Sequence, residues 1–225
     1  MNPNRLFVFD MDGVLVASEK AWVETEPRIH EDMFGAEIAH GIGDTIGISV
    51  GQIYEKAITL GSRMDKAEYD RLYNEAAMRV YGRCAISEGT DELVAYLLAN
   101  KWSLALLSSS PMLWIKQVLV RLSWRDKFAV VLSLNEHREL RPKPFPDGYL
   151  HILRKVGVIP EVSVALEDSN PGIQSAKEAG LFTIGYREHL PDGYEQQDAD
   201  ATAETMTDVL TILQTKGHSD SLTMH

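Results

Sequence analysis

The sequence predicts an α/β fold: a parallel sheet with helices on both faces and a helical domain inserted after the first strand. Three observations predict it. Short apolar, β-branched or aromatic runs recur at Arg5 to Phe9, Ser103 to Leu107, Phe128 to Leu132, Val162 to Leu166 and Leu181 to Tyr186, each of a length and composition suited to a buried strand. Helix-length segments separate the later runs, and that alternation is the pattern of parallel sheets. The spacing is also uneven: nothing strand-like follows Phe9 until Ser103, whereas the later runs succeed one another closely.

Taken in order, the first run ends in Asp10-Met11-Asp12-Gly13, where glycine breaks the strand. Helical spacing of apolar residues then appears in Ala21 to Met33, Ile53 to Leu60 and Tyr69 to Tyr81, with a Gly-rich turn expected from Gly35 to Gly51. Pro27 is expected to kink or split the first of these helices. The expected domains are therefore 1–16 with 85–215 as the core and 17–84 as the helical insertion, hinged near Val14 to Ser18 and Cys84 to Glu88. Further helices are expected over Pro111 to Leu122, Pro146 to Val156 and Pro171 to Ala179, the last two with Pro in the first turn and Gly just past the end. Residues 216–225 read as a polar, flexible tail.

Composition narrows the function. Of 225 residues 44% are hydrophobic and 24% charged, as in an ordinary globular protein. The single Cys84 excludes a disulfide scaffold and a Cys-rich zinc site. A formal charge of −11, from 22 Lys plus Arg against 33 Asp plus Glu, disfavours nucleic acid as a partner. No apolar run is long enough to span a bilayer, and the first residues carry no secretory pattern. The expectation is a cytoplasmic protein acting on a small molecule, without membrane or macromolecular partners.

The chemistry lies where strands end, since parallel sheets bind ligands at their carboxyl edge. In extended chain, Asp10 and Asp12 point the same way, and two converging carboxylates call for a cation or a shared proton. Read alone, the pair equally suits a turn cap and a solvated acid. Glu167-Asp168 ends another apolar run, and Asn170-Pro171 behind it suits a helix N-cap and first turn. Ser108-Ser109-Ser110 closes the second run and offers hydroxyls and backbone N–H groups to an anion. Arg141-Pro142-Lys143-Pro144 presents Lys143 on a short, stiff loop. Each element has an ordinary structural explanation, but their order after successive strands of one sheet brings them to a single edge.

Asp10-Met-Asp12-Gly, then Ser108, then Lys143 in R-P-K-P-x-P-D-G-Y, then Glu167-Asp168 followed by G-I-x-x-A-x-x-A-G together resemble the haloacid dehalogenase-like (HAD) phosphohydrolase superfamily, over about residues 5–213. The helical insertion resembles the C1 cap of its β-phosphoglucomutase-like and phosphoglycolate-phosphatase-like branch. The resemblance implies a Rossmann-like core and a Mg²⁺-dependent phosphatase acting on a small phosphorylated metabolite. It implies that Asp10 is the nucleophile forming an aspartyl-phosphate, and that Asp12 is the general acid and base. Ser108 and Ser109 would bind the phosphoryl group, and Lys143 would offset charge on it and on the nucleophile. Mg²⁺ would be held by Asp10, the backbone carbonyl of Asp12 and Asp168, with Glu167 in or just outside that set.

Departures from the branch pattern bear on the reaction. Ala17 stands where the branch often has an acid, and Trp22 where the sugar phosphomutases carry His. The segment Thr45-Ile46-Gly47-Ile48-Ser49-Val50 carries neither the mutases' basic pair nor a lysine for a Schiff base. Hydrolysis is thereby favoured over a hexose-phosphate mutase, the alternative within the same chemistry; a non-enzymatic phosphometabolite-binding protein is the alternative outside it. Trp22, Ile46, Gly47 and Ile48 are the candidates for contacting the leaving group.

Overall fold

The structure is a computed structural model and describes residues 5–43, 45 and 50–222, with 217–222 by backbone alone. The chain divides into two compact units, Met1–Glu19 with Cys84–His225, and Lys20–Arg83. Ala17 and Ser18 go with the first unit because the Ala17 N–H donates to the Ala85 carbonyl (2.9 Å) and the Ser18 hydroxyl to Asp12 (2.7 Å).

The first unit is built on six parallel strands, β1 (Arg5–Phe9), β2 (Trp102–Ser108), β3 (Phe128–Ser133), β4 (Ser163–Glu167), β5 (Phe182–Tyr186) and β6 (Ala201–Ala203), in the spatial order β3-β2-β1-β4-β5-β6. Strand β1 is central and buried on both faces, which is why it reads as an unbroken apolar run. Leu6 and Val8 join a cluster with Ala105, Leu107, Tyr149, Ile152, Ala165 and Ala176. Phe7 and Phe9 alternate to the other face, where their rings lie 6.2 Å from Trp102 and Trp124 respectively. Each such side chain contributes about 1.5–3 kcal/mol on burial.

Five strands stand where the apolar runs predict them, to within a residue or two. The sixth was not foreseen: Ala201–Ala203 is too short and too weakly apolar to register as a strand, and it exists because β5 offers it a partner edge. Around the sheet lie α5 (Thr90–Ala99), α6 (Met112–Leu119), α7 (Asp147–Val156), α8 (Asn170–Glu178) and α9 (Met206–Leu222). Helix α7 is capped by Pro146 and ends at Gly157 in the left-handed region, φ 73°, as its sequence requires. Helix α8 differs by a residue, for its N-cap is Ser169, whose hydroxyl accepts from the Gly172 N–H (3.2 Å). Asn170 instead bonds to the 195–197 segment through the Glu195 carbonyl and the Gln197 N–H. Helix α9 continues through the stretch read as the start of a frayed tail. Val209 and Leu213 anchor it in the core, and the Thr211 and Thr215 hydroxyls donate to carbonyls one turn back.

In the second unit, α1 (Ser18–Phe34, beginning in the first unit) is followed by α2 (Ala36–Ile42), α3 (Val50–Thr59) and α4 (Lys66–Arg83). Pro27 does not split α1. The carbonyl it deprives of a donor belongs to the exposed Val23, while Trp22 and His30 on either side pack against Tyr73. The expected turn from Gly35 contains helix α2, because Ile38 and Ile42 find an apolar partner set in Phe34, Ile53 and Ala57. Among the described residues no helix is long and apolar enough to cross a membrane.

Candidate active site

The site residues come from the carboxyl ends of adjacent strands in the first unit. Strand β1 runs on into Asp10, whose N–H donates to the Leu166 carbonyl of β4 (3.0 Å), so the acid ends of β1 and β4 are held side by side. The chain then turns at once. The Leu15 and Val16 N–H groups donate to the Met11 carbonyl (2.9 and 3.2 Å), and Gly13 sits at φ 71°. Any side chain at Gly13 would also collide with Asp168, since a Cβ there would lie 1.9 Å from its Oδ2. Gly172 plays the same part for Glu167, with a Cβ 1.9 Å from Oε2. These two glycines are the cradle into which the second acidic pair fits.

Lys143 is the hub. Its Nζ donates to Asp10 Oδ1 (2.5 Å) and pairs with Glu167 Oε1 (2.7 Å), with its side chain only 8% exposed. The Tyr149 hydroxyl donates to Glu167 Oε1. Asp10, Glu167 and Asp168 each offer a carboxylate oxygen within 4.8 Å of the others. Burial, reinforced by Asp168's neighbours Asp10 and Glu167, pushes the Asp168 carboxyl well above the usual range. Burial also raises Asp10, to about 8, with Glu167 and Asp12 adding to the rise and Lys143 opposing it. Burial works against the charge on Lys143, but Asp10 and Glu167 facing it raise its pKa above the ordinary lysine value.

Asp12 stands apart from this trio. Its Oδ1 accepts from Ser18 (2.7 Å) and its Oδ2 from Ser110 (2.8 Å) and Ser108 (3.5 Å). Among the serines, Ser108 is fully buried and its Oγ accepts from the Ser110 N–H (3.0 Å), whereas Ser109 is exposed. Of the three adjacent serines, which sequence alone could not rank, Ser110 therefore brings its hydroxyl closest to Asp12. Tyr149 likewise stands in the Lys143 motif without an assigned role, and Ser18 enters the sequence reading only as the edge of a hinge. Gln196, with no sequence signal, donates to the carbonyls of Asp168 (2.7 Å) and Tyr186 (2.8 Å) and steadies that strand end.

Trp22 lies in the second unit, stacked on Tyr73 (centroids 5.3 Å, 17°), with its N–H donating to the Tyr81 hydroxyl (3.5 Å). Ile46, Gly47 and Ile48 lie outside the described residues.

Three carboxylates against one lysine leave a buried excess of negative charge, and Glu167 Oε2 is buried with no partner among the described groups. Burial disfavours such an excess unless a cation offsets it. Hard carboxylate oxygens of this number and spacing suit a divalent metal ion, and the cluster can hold one.

Fold and site together define the class: a Rossmann-like α/β enzyme unit with a buried acid and lysine cluster at the carboxyl edge of its sheet. Residues 7–186 match the family model of the haloacid dehalogenase-like hydrolases, and the chain belongs to that family. It is 31% identical over 186 residues to hexitol phosphatase B of Escherichia coli, covering 79% of this chain and 81% of that protein. It is 29% identical over 205 residues to a phosphorylated carbohydrates phosphatase of Thermotoga maritima, covering 87% and 91%. A solved haloacid dehalogenase-like protein from Agrobacterium tumefaciens shares the fold, with a TM-score of 0.73 at 23% identity and coverage of 95% and 99%.

Proposed function

We propose that this protein is a Mg²⁺-dependent phosphatase that hydrolyses a small phosphomonoester of the sugar or polyol class, through an aspartyl-phosphate on Asp10. The carrying observation is Lys143 held between Asp10 and Glu167, with Asp168 completing a carboxylate group that suits a cation. The two phosphatase relatives support the substrate class.

In this reading Asp10 attacks phosphorus, and the bond between phosphorus and the ester oxygen breaks. Asp12 gives its proton to the departing oxygen. Water then attacks the phosphorus of the acyl phosphate, Asp12 takes a proton from that water, and inorganic phosphate leaves with Asp10 restored. Splitting the displacement in two lets one side chain serve as acid and then as base. Lys143 and the Ser108 to Ser110 turn bind the phosphoryl oxygens, over which the transition state spreads its charge. Asp10, Asp168 and the carbonyl of Asp12, with Glu167 in or beside that set, would hold Mg²⁺, which would supply Lewis-acid neutralisation of phosphoryl charge. Trp22, Ile46, Gly47 and Ile48 of the second unit, read as a C1 cap, select the leaving group. The lack of cations from Thr45 to Val50 disfavours a second phosphate and hence a mutase. We place the activity in the cytoplasm, on free metabolites.

Phosphate release from hexose phosphates, polyol phosphates and phosphoglycolate, with and without Mg²⁺, tests this, with hexose 1-phosphates also assayed for isomerisation. The expected result is Mg²⁺-dependent release from sugar or polyol esters. Isomerisation without release would replace the phosphatase by a mutase.

A further inference from the structure

Two backbone carbonyls of the turn that carries Asp12 are held from outside by a single residue. Inside the turn, Leu15 and Val16 donate to the Met11 carbonyl and Gly13 donates to the Val16 carbonyl (2.9 Å). The carbonyls of Val14 and Leu15 are left for an outside donor, and Ser87 supplies both. Its hydroxyl donates to Val14 (2.5 Å) and its N–H to Leu15 (3.0 Å). Ser87 is 3% exposed, and its own carbonyl accepts from Thr90 Oγ1 (2.6 Å) at the start of α5.

His189, in the loop beyond β5, lies with Nε2 2.9 Å from Ser87 Oγ. A carbonyl can only accept, so the one hydroxyl proton of Ser87 is committed to Val14. The proton between His189 and Ser87 must then sit on Nε2, making histidine the donor. This is the reverse of a serine nucleophile activated by histidine. Glu188 agrees, since it approaches the same Nε2 (3.7 Å), not the far ring nitrogen that an orienting acid would hold. The Tyr186 hydroxyl donates to Glu188 and fixes that side of the group.

We infer that Ser87 and His189 are positioning residues that clamp the Val14–Leu15 peptides and thereby hold Asp12 in register with the sheet edge. The turn ends at Ser18, whose hydroxyl bonds to Asp12, so displacement of Val14 and Leu15 is passed to the carboxylate from both sides. The catalytic arm rests on Asp12 being the acid and base proposed above.

The test uses Ser87→Ala, His189→Ala and His189→Gln in the full chain. It reads kcat and KM for the best phosphate ester, and amide hydrogen exchange at Val16, Ala17, Ser18 and Ser87. Ser87→Ala and His189→Ala are expected to lower kcat about tenfold with KM within about twofold, because orientation of the acid is lost while binding is kept. Exchange at the four amides is expected to quicken about tenfold while β1 amides keep their protection. His189→Gln, which retains an N–H donor, is expected to restore both readouts. Wild-type kcat and exchange in Ser87→Ala would overturn the inference. So would equal quickening across β1, which marks general destabilisation, or a glutamine variant no better than alanine. If the wild type turned over no ester the phosphatase reading would fail, while the exchange data would still decide whether the clamp exists.

Discussion

The two units bury polar groups for different ends. In the sheet unit, Asp10, Glu167 and Lys143 lie beneath the surface with their charges in conflict with burial, and the affinity of Asp10 for its proton rises accordingly. In the helical unit, the one buried polar residue among those described, apart from tyrosines within the core, is His30. The polar centre there is Glu26, which accepts from the Tyr73 hydroxyl (2.6 Å) and from Thr45 and so joins α1 to α4 and the segment before α3. Charge in the first unit is retained against the interest of the fold. Charge in the second serves the fold, by satisfying donors that aromatic packing has buried.

That contrast is broken or sharpened by substitution. The largest effect is expected from Asp10→Asn, which should lower turnover at least about a thousandfold by removing the proposed nucleophile. Its melting temperature should equal or exceed that of the wild type, because one of several crowded acids becomes neutral. Phosphate release and a thermal melt check the pair of outcomes, and a large fall in melting temperature would erase the contrast. Next comes Gly172→Ala, whose Cβ would press on Glu167. It should cut turnover about a hundredfold by displacing a cluster acid, and it should abolish the rise in melting temperature expected of the wild type with Mg²⁺ through preferential binding to the folded state. The smallest effect belongs to the helical unit. Tyr73→Phe removes a donor to Glu26 and should cost about 1.5 kcal/mol in urea unfolding, with turnover kept within about twofold. A loss of turnover comparable with that of Gly172→Ala would mean that the Glu26 cluster has a chemical role.

The same division governs what could be read in advance. Strands β1 to β5 were legible because a strand buried on both faces must be apolar throughout, and the acids were legible because each stands directly after such a run. Strand β6 was not, since Ala-Thr-Ala acquires its pairing only from the neighbouring edge. In the helical unit α2 was hidden by glycines at 35, 41 and 43, whose local preference was overruled by the packing of Ile38 and Ile42. Pro27 argued for a break that tertiary contacts with Tyr73 prevented.

Within the site, residue types and their order along the chain were enough to bring Asp10, Lys143, Glu167 and Asp168 to one edge, because parallel topology leaves strand ends no other place to meet. Which serine reaches Asp12, why Gly13 and Gly172 cannot carry a side chain, and which way the proton lies between Ser87 and His189 were decided only by tertiary structure. Periodicity and motif order are properties of the chain itself. Hydrogen-bond direction and close approach depend on atoms far apart in sequence, and they exist only once the sheet has brought those atoms together.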